Sequence, residues 1–426
     1  MASTRGQAPE LVIPFVLASV AAWAIVVVLA RVLRGKPYAL FRGVTLGLHV
    51  LFASTLAGRF AGPLFLVFVA LHATVFVSSL TLARPRPRSL AYRVLVSLPA
   101  AFFSAGTLLA LPWVLAAAFG YALPAVWLPY ALAFVGLAQS LSARSEVVDI
   151  TVGSELRGVN ETNDGAGSIP VRVPRAAYGT ARVSRPLRLV QITDPHLGPF
   201  MSASRLARIC RRAVEKNPDL VLLTGDFLTM ESQAHPELLA RALSPLAELP
   251  GRVFACLGNH DHEALETVRY ALAAAGVRLL VDDAELVATE AGLVQIVGFD
   301  FTWRERAAHL RRVTAAHPRL PGAFRLALLH DPGAFKHLPS GEADLVLSGH
   351  THGGQVGFVS LGLPWTLMRL FAKIPDHGLW ARGADKLYVH RGTGHYGFPL
   401  RLGVPAEESV LAVHAPALLS VTAAAQ

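Results

Sequence analysis

The chain has 426 residues, of which 53% are hydrophobic and only 16% charged, and its formal net charge is +10. Soluble domains carry about 25% charged residues, so this composition excludes a wholly soluble protein and equally a disordered one. Residues 1–145 hold 11 Lys/Arg against the single acid Glu10, whereas residues 146–426 balance 28 basic against 28 acidic side chains; the excess charge belongs to an apolar N-terminal third and is no argument for a nucleic-acid-binding face.

In chain order, that third falls into apolar runs of about the 20 residues that a membrane helix needs. Leu11–Ala30 is uninterrupted and ends at Arg31, Arg34 and Lys36. It is too long, and too poor in N-terminal positive charge, for a cleaved signal. Gly43–Gly58 and Ala61–Ala83 flank Arg59 and read as a helical hairpin, and Val94–Ala118 and Tyr121–Leu141 flank the turn 119–123. Five spans, give or take one, are expected. Lys and Arg crowd into 31–42 and 84–93 and are absent from 119–123. Because basic loops stay cytoplasmic, an odd number of spans puts the N-terminus outside and everything beyond residue 144 inside. His49 and His72 fall within the second and third runs. An ionisable group there is a functional candidate, but two neutral imidazoles hydrogen-bonded inside the bundle are the simpler reading, being far cheaper in lipid than a carboxylate or ammonium.

Residues 145–186 read as a linker, with extended pieces at Val147–Val152 and Ile169–Val173 around a flexible loop at Asn160–Ser168. Short Leu-rich and β-branched runs follow at Leu187–Thr193, Leu220–Thr224, Val253–Leu257, Val294–Phe299, Arg325–Leu329 and Leu345–Ser348, alternating with segments of helical spacing. Buried strands alternating with helices imply an α/β sheet covered on both faces.

Polar residues gather just after those runs, at the carboxyl ends of strands, where open α/β sheets build their sites. They are Asp194 and His196 in TDPHLG, Asp226 in TGD, Asn259, His260 and Asp261 in GNHD, His330 in LLHDP, and His350 and His352 in GHTHGG. Imidazoles, carboxylates and an amide oxygen suit borderline divalent metals, and one shared carboxylate lets two ions sit a few Å apart. The neighbouring glycines, among them Gly258 and Gly349, allow backbone to approach closely. Cys210 and Cys256 are too few for a disulfide scaffold or a cysteine-rich zinc site and read as small core residues.

The ordered set DPH, GD, GNHD, H, GHTH resembles the calcineurin-like metallophosphoesterases over roughly residues 187–415, and the later YVHRGTGHYGFPLR at Tyr388–Arg401 is similar to their membrane-attached bacterial subgroup. The pattern departs from that subgroup at His390, His395 and Pro405–Glu407. The resemblance implies an α/β fold: an N-terminal transmembrane helical bundle followed by a four-layer α/β/β/α domain. It also implies two divalent ions, Mn2+ first and Fe2+ or Zn2+ as alternatives. Asp194, His196 and His352 would hold one ion, Asn259, His330 and His350 the other, and Asp226 would bridge them, with a hydroxide between the ions attacking phosphorus. His260 would stabilise or protonate the leaving oxygen, with Asp261 fixing its tautomer.

The implied activity is a membrane-tethered phosphoesterase of the bacterial inner membrane, multi-pass, with a cytoplasmic catalytic domain. It would act on a phosphorylated small molecule or lipid such as a UDP-diacylglucosamine-type precursor. Its partners would be the bilayer and that substrate, and no nucleic acid. A general phosphodiesterase or nuclease is the alternative enzyme, opposed by the electroneutral domain because tracking a phosphate backbone needs clustered positive charge. A non-catalytic sensor or scaffold is the other alternative, and it would not need seven ligand-type residues. His262 and His377, outside every motif, read as surface or loop histidines, and Leu361–Ile374 reads either as packing or a cap over the site or as an interfacial element.

Overall fold

The computed structural model describes residues 9–153, 170–178 and 185–415, so the loop expected at Asn160–Ser168 lies outside the described residues. The chain divides into a helical unit, which also takes in Gly397–Leu402, and a second unit that begins at Ser142.

In the helical unit, α1 (Pro9–Arg34), α2 (Lys36–Ala57) and α3 (Pro63–Leu82) follow the first three apolar runs. Helix α2 extends back past Arg42, whose Nε donates to Tyr38 Oη at 3.1 Å. Next, α4 (Leu90–Tyr92) passes through a π-helical turn at Arg93–Ser97 into α5 (Leu98–Leu109), just where Pro99 withholds a backbone donor. The unit closes with α6 (Leu111–Ala118) and α7 (Leu128–Ser140). Among the described residues four stretches, Glu10–Arg34, Lys36–Ala57, Pro63–Leu82 and Leu90–Leu109, are long and apolar enough to cross a membrane. Four lies within the expected five, give or take one, and the difference falls at the last run. Tyr121–Leu141 yields only the 13 residues of α7, about 20 Å of helix against a hydrocarbon core of about 30 Å. Pro124 biases the residue before it away from helix, and Pro129 sits in the first turn of α7, the one place in a helix where it costs little. In the packed interior, His49 Nε2 lies 3.2 Å from His72 Nδ1, and Ser19 Oγ is 3.0 Å from His72 Nε2 while donating to the Phe15 carbonyl. Leu400 is buried with Ala105 and Ala133.

The second unit contains β1 (Ala143–Thr151), β2 (Val171–Arg172), β3 (Leu187–Ile192), β4 (Leu220–Thr224), β5 (Val253–Cys256), β6 (Arg278–Leu279), β7 (Asp283–Thr289), β8 (Gly292–Gly298), β9 (Phe324–Leu328), β10 (Leu345–Ser348), β11 (Gly378–Arg382), β12 (Asp385–Val389) and β13 (Ala406–His414). Its longer helices are α8 (Ala203–Glu215), α9 (Pro236–Leu243), α10 (Leu265–Ala274) and α11 (Arg306–Ala316). One sheet runs β1-β13-β3-β4-β5-β6 and the other β2-β11-β12-β10-β9-β8-β7. The sheets face each other over Leu187, Leu189 and Leu222 on one side and Ile296, Leu326 and Leu347 on the other. The outer face of the first sheet is covered by Leu206, Ile209, Leu239, Val268 and Leu272 from α8, α9 and α10; that of the second by Leu310 and Val313 of α11 with Phe335. Four layers result, and they explain why the central strands are apolar on both faces.

The segment expected to be a linker starts inside this unit. Strand β1 pairs in parallel with β13 from Ala143↔Ala406 to Thr151↔His414, and β2 pairs with β11 through Trp380↔Arg172. Both cysteines are buried, Cys210 on α8 and Cys256 in β5. His377 lies in the loop just before β11, as one of the two expected readings had it, but it is buried, 3.3 Å from the Asp376 carboxylate, with Arg172 Nη1 at 3.4 Å.

Candidate metal centre

Every candidate ligand stands just beyond a parallel strand. Asp194 follows β3, Asp226 follows β4, Asn259 follows β5, His330 follows β9 and His350 follows β10, so one edge of the two facing sheets carries them all. The backbone there is unusual. Asp194, His196, Asp226, His350 and His352 all have φ between 45° and 68°, among ten non-glycine residues with positive φ in the described chain. Left-handed backbone costs an L-residue about 1–2 kcal/mol, and such strain persists only where the surroundings over-determine it, most often at functional sites. The loops also interlock. A Cβ on Gly258 would lie 2.3 Å from Asp226 Oδ1 and one on Gly349 2.1 Å from Asp194 Oδ2, so only glycine leaves room for those carboxylates.

The side chains form two groups of potential ligands, Asp194–His196–His352 and Asp226–His330–His350, with ligand atoms in each within 4.8 Å of one another. In the first, His352 Nε2 is 3.2 Å from His196 Nε2 and 3.5 Å from Asp194 Oδ1. In the second, His330 Nε2 is 3.2 Å from His350 Nδ1 and 3.3 Å from Asp226 Oδ2. Asp226 Oδ2 is also 3.6 Å from His196 Nε2, which puts it between the groups. Asp194 is oriented by His350 N, 3.0 Å from each of its oxygens, and by Thr193 Oγ1 at 2.7 Å. His330 donates Nδ1–H to the Thr224 carbonyl at 2.6 Å, which turns Nε2 toward Asp226.

These contacts set the electrostatics. Burial pushes the Asp194 carboxyl up to about 6, the Asp226 charge adding to it and His330 opposing it. Burial opposes charge on His330 as well, but Asp226 and Asp194 outweigh it and raise that imidazole to about 10. Burial lowers His196 to about 4; burial together with the His330 charge lowers His350 to about 4, so both are neutral ligand donors.

Asp261 does not hold His260. Its carboxylate accepts hydrogen bonds from Asp226 N, Phe227 N and Gly258 N, each at 2.8 Å, clamping the loop after β4 to the loop after β5. The expectation that it fixes the imidazole tautomer is corrected, because a 3-10 turn at Asp261–Ala264 brings Glu263 Oε1 to 2.9 Å from His260 Nδ1 instead. Burial lowers the His260 pKa, but the Glu263 hydrogen bond and the Asp226 charge raise it above its ordinary value overall. The His260 ring stands at 5.4 Å, edge-on, from that of His196. Sequence reasoning missed Glu263, whose signal was an acid three residues after an imidazole. It also missed Tyr396, stacked on His196 at 4.8 Å, and Phe301 and Trp303, about His350 at 6.1 and 6.2 Å. His262 pairs with Asp300 at 3.0 Å, apart from both groups.

The model for calcineurin-like phosphoesterases matches residues 187–354. The phosphodiesterase YaeI of Escherichia coli (strain K12) is 32% identical over 235 residues, which are 53% of this chain and 82% of the relative. The chain belongs to the calcineurin-like metallophosphoesterases. Other relatives of this metallophosphoesterase are the UDP-2,3-diacylglucosamine pyrophosphatase LpxG of Chlamydia trachomatis, 28% identical over 49% of this chain and 78% of its own length, and a transmembrane protein with a metallophosphoesterase domain from Danio rerio, 29% identical over 52% of each chain. The chain is therefore a hydrolase of a family that uses divalent metals.

The residues of the metallophosphoesterase fit such ions. Ligands about 2.1 Å from a cation stand roughly 3.0–3.4 Å apart in octahedral or tetrahedral arrangements, close to the 3.2–3.6 Å separations above. Asn259 Oδ1 is buried with no hydrogen-bond donor among the described residues, as an oxygen reserved for a cation would be.

Proposed function

We propose that this metallophosphoesterase is embedded in the bacterial inner membrane and uses two divalent ions to hydrolyse a phosphodiester or pyrophosphate bond in a lipid-linked substrate. Asp194, His196 and His352 hold one ion, Asn259, His330 and His350 the other, and Asp226 is shared. The observation that carries this reading is the position of Asp226 Oδ2, 3.6 Å from His196 Nε2 and 3.3 Å from His330 Nε2. Mn2+ suits a set of carboxylate, amide and imidazole donors without thiolate, with Fe2+ or Zn2+ as alternatives. When bound, such a pair of ions acidifies a water and neutralises the phosphoryl oxygens.

The protein's own groups supply the rest. His260, with Glu263 on Nδ1 and a raised pKa, keeps a proton to give to the leaving oxygen. A lipid-linked substrate is supported by the four apolar helices and by the diacylglucosamine substrate in the name of LpxG. Four spans also change the parity behind the expected cytoplasmic domain: with 31–42 and 84–93 both cytoplasmic, the second unit emerges on the opposite side.

The test is Asp226→Asn, which changes the shared charge and almost nothing else. Turnover should fall by about 10^3-fold or more, and metal content by mass spectrometry should drop below two ions per chain. Full turnover after metal stripping and reconstitution would refute the shared-carboxylate reading.

A further inference from the structure

One segment of the second unit remains unused by this chemistry. Among the described residues of that unit, seven of the thirteen exposed large apolar side chains lie within the fourteen residues Phe358–Phe371, where Leu361 is 74% and Phe371 82% exposed. The segment is ordered. Phe358 N donates to the Trp365 carbonyl at 2.9 Å and Leu367 N to the Val356 carbonyl at 2.8 Å, so an apolar tip projects from a tied base. The base is fastened to the ligand loop. Thr366 Oγ1 donates to Asp376 Oδ2, and Thr351 Oγ1, between His350 and His352, donates to the carbonyl of the same Asp376. A Cβ on Gly354 would meet Met368 Cβ at 2.8 Å.

We propose that Phe358–Phe371 lies on the surface of an anionic lipid bilayer and holds the ligand loop there. This rests on the reading that the chain spans a membrane. A lone apolar side chain on a surface needs no partner, but a concentrated patch does, and this one has the composition of an interfacial element. Trp365 suits the headgroup region, Arg369 stacks over its ring at 5.5 Å, Lys373 follows, and no acid occurs between Val356 and Pro375. Basic side chains beside an apolar patch match anionic headgroups. The chain itself carries four helices that bring the unit to a bilayer, with only Leu141 and Ser142 between the end of α7 and the start of β1.

The test uses the full chain, whose two native cysteines are buried. Phe371→Cys, Leu17→Cys on α1 and Tyr270→Cys on α10, all exposed positions, are each labelled with a fluorophore. The labelled proteins go into nanodiscs of phosphatidylcholine and phosphatidylglycerol containing a nitroxide-bearing lipid. The labels at 17 and 371 should lose at least half their emission and the label at 270 almost none. Quenching at 17 without quenching at 371 overturns the inference while leaving the membrane reading intact, whereas no quenching at 17 overturns both. Shielding of the 371 label from aqueous iodide without lipid quenching would identify a protein partner and also overturn it. In discs of phosphatidylcholine alone, quenching at 371 should fall at least twofold; no change there would overturn the role given to Arg369 and Lys373.

Discussion

Replacing Asp261 separates a structural carboxylate from a chemical one. The residue is fully buried, and its three acceptor contacts, each 2.8 Å, come from Asp226 N, Phe227 N and Gly258 N. Asp261→Ala leaves three backbone donors without an acceptor at a cost of about 1–3 kcal/mol each, and partial entry of water brings the sum to roughly 3–6 kcal/mol. At about 2–4 °C per kcal/mol for a domain of this size, the midpoint of thermal unfolding should drop by roughly 6–24 °C, measured on the metal-stripped protein in detergent. Asp261→Asn keeps one acceptor oxygen but turns an amide N–H toward the donors, and should lose about half as much. Because the clamped amides belong to Asp226 and to the loop ahead of Asn259, both variants should also bind metal more weakly. The dependence of rate on leaving-group pKa should stay that of the wild type. An unchanged midpoint, or a leaving-group dependence altered in the same way as in His260→Asn, would refute the clamp and restore a chemical role to Asp261.

His260→Asn should retain metal and lose rate mainly with leaving groups that need a proton, and Glu263→Gln should show the same trend more weakly; equal losses for good and poor leaving groups would remove the acid role from both. Glu407 is buried between Arg391, Ser409 and Tyr388, and although burial opposes its charge, His390, Arg391 and the hydroxyl donors hold its pKa well below the ordinary carboxylate range. A depressed pKa contributes stability above the unfolded value of about 4.3 that is lost as pH falls, so the wild-type melting temperature should fall more steeply below about pH 5 than that of Glu407→Gln. Parallel curves would refute it. For sidedness, a reporter fused after Gln426 that is active only outside the cytoplasm should give signal and one that fluoresces only inside should not; the opposite result would show that a fifth segment crosses.

How much of this was legible in the sequence depended on which physical rule each residue obeys. β4 and β10 were readable to the residue because a parallel strand buried on both faces is an unbroken apolar run, and each is followed directly by its site residues. Strands β7 and β13 were not. The first has partly buried and exposed positions beside one antiparallel neighbour, and the second carries Glu407 and Glu408 just after its first residue, Ala406, where their charges mask the strand that follows. The seven candidate ligands followed from the ordered motifs and the family they resemble, but the left-handed backbone at Asp194 or His352 was not legible, because neither residue is the glycine that announces such a turn. Adjacency misled at Asp261, where the chain turns the carboxylate away from the imidazole beside it. Proline did the same at Tyr121–Leu141. Hydropathy counts residues, but crossing a bilayer requires helical rise, and the first seven residues of this run lie outside α7. Since every span reverses the side on which the next segment emerges, the sidedness reporters test the reading of that one helix more sharply than any missed strand could.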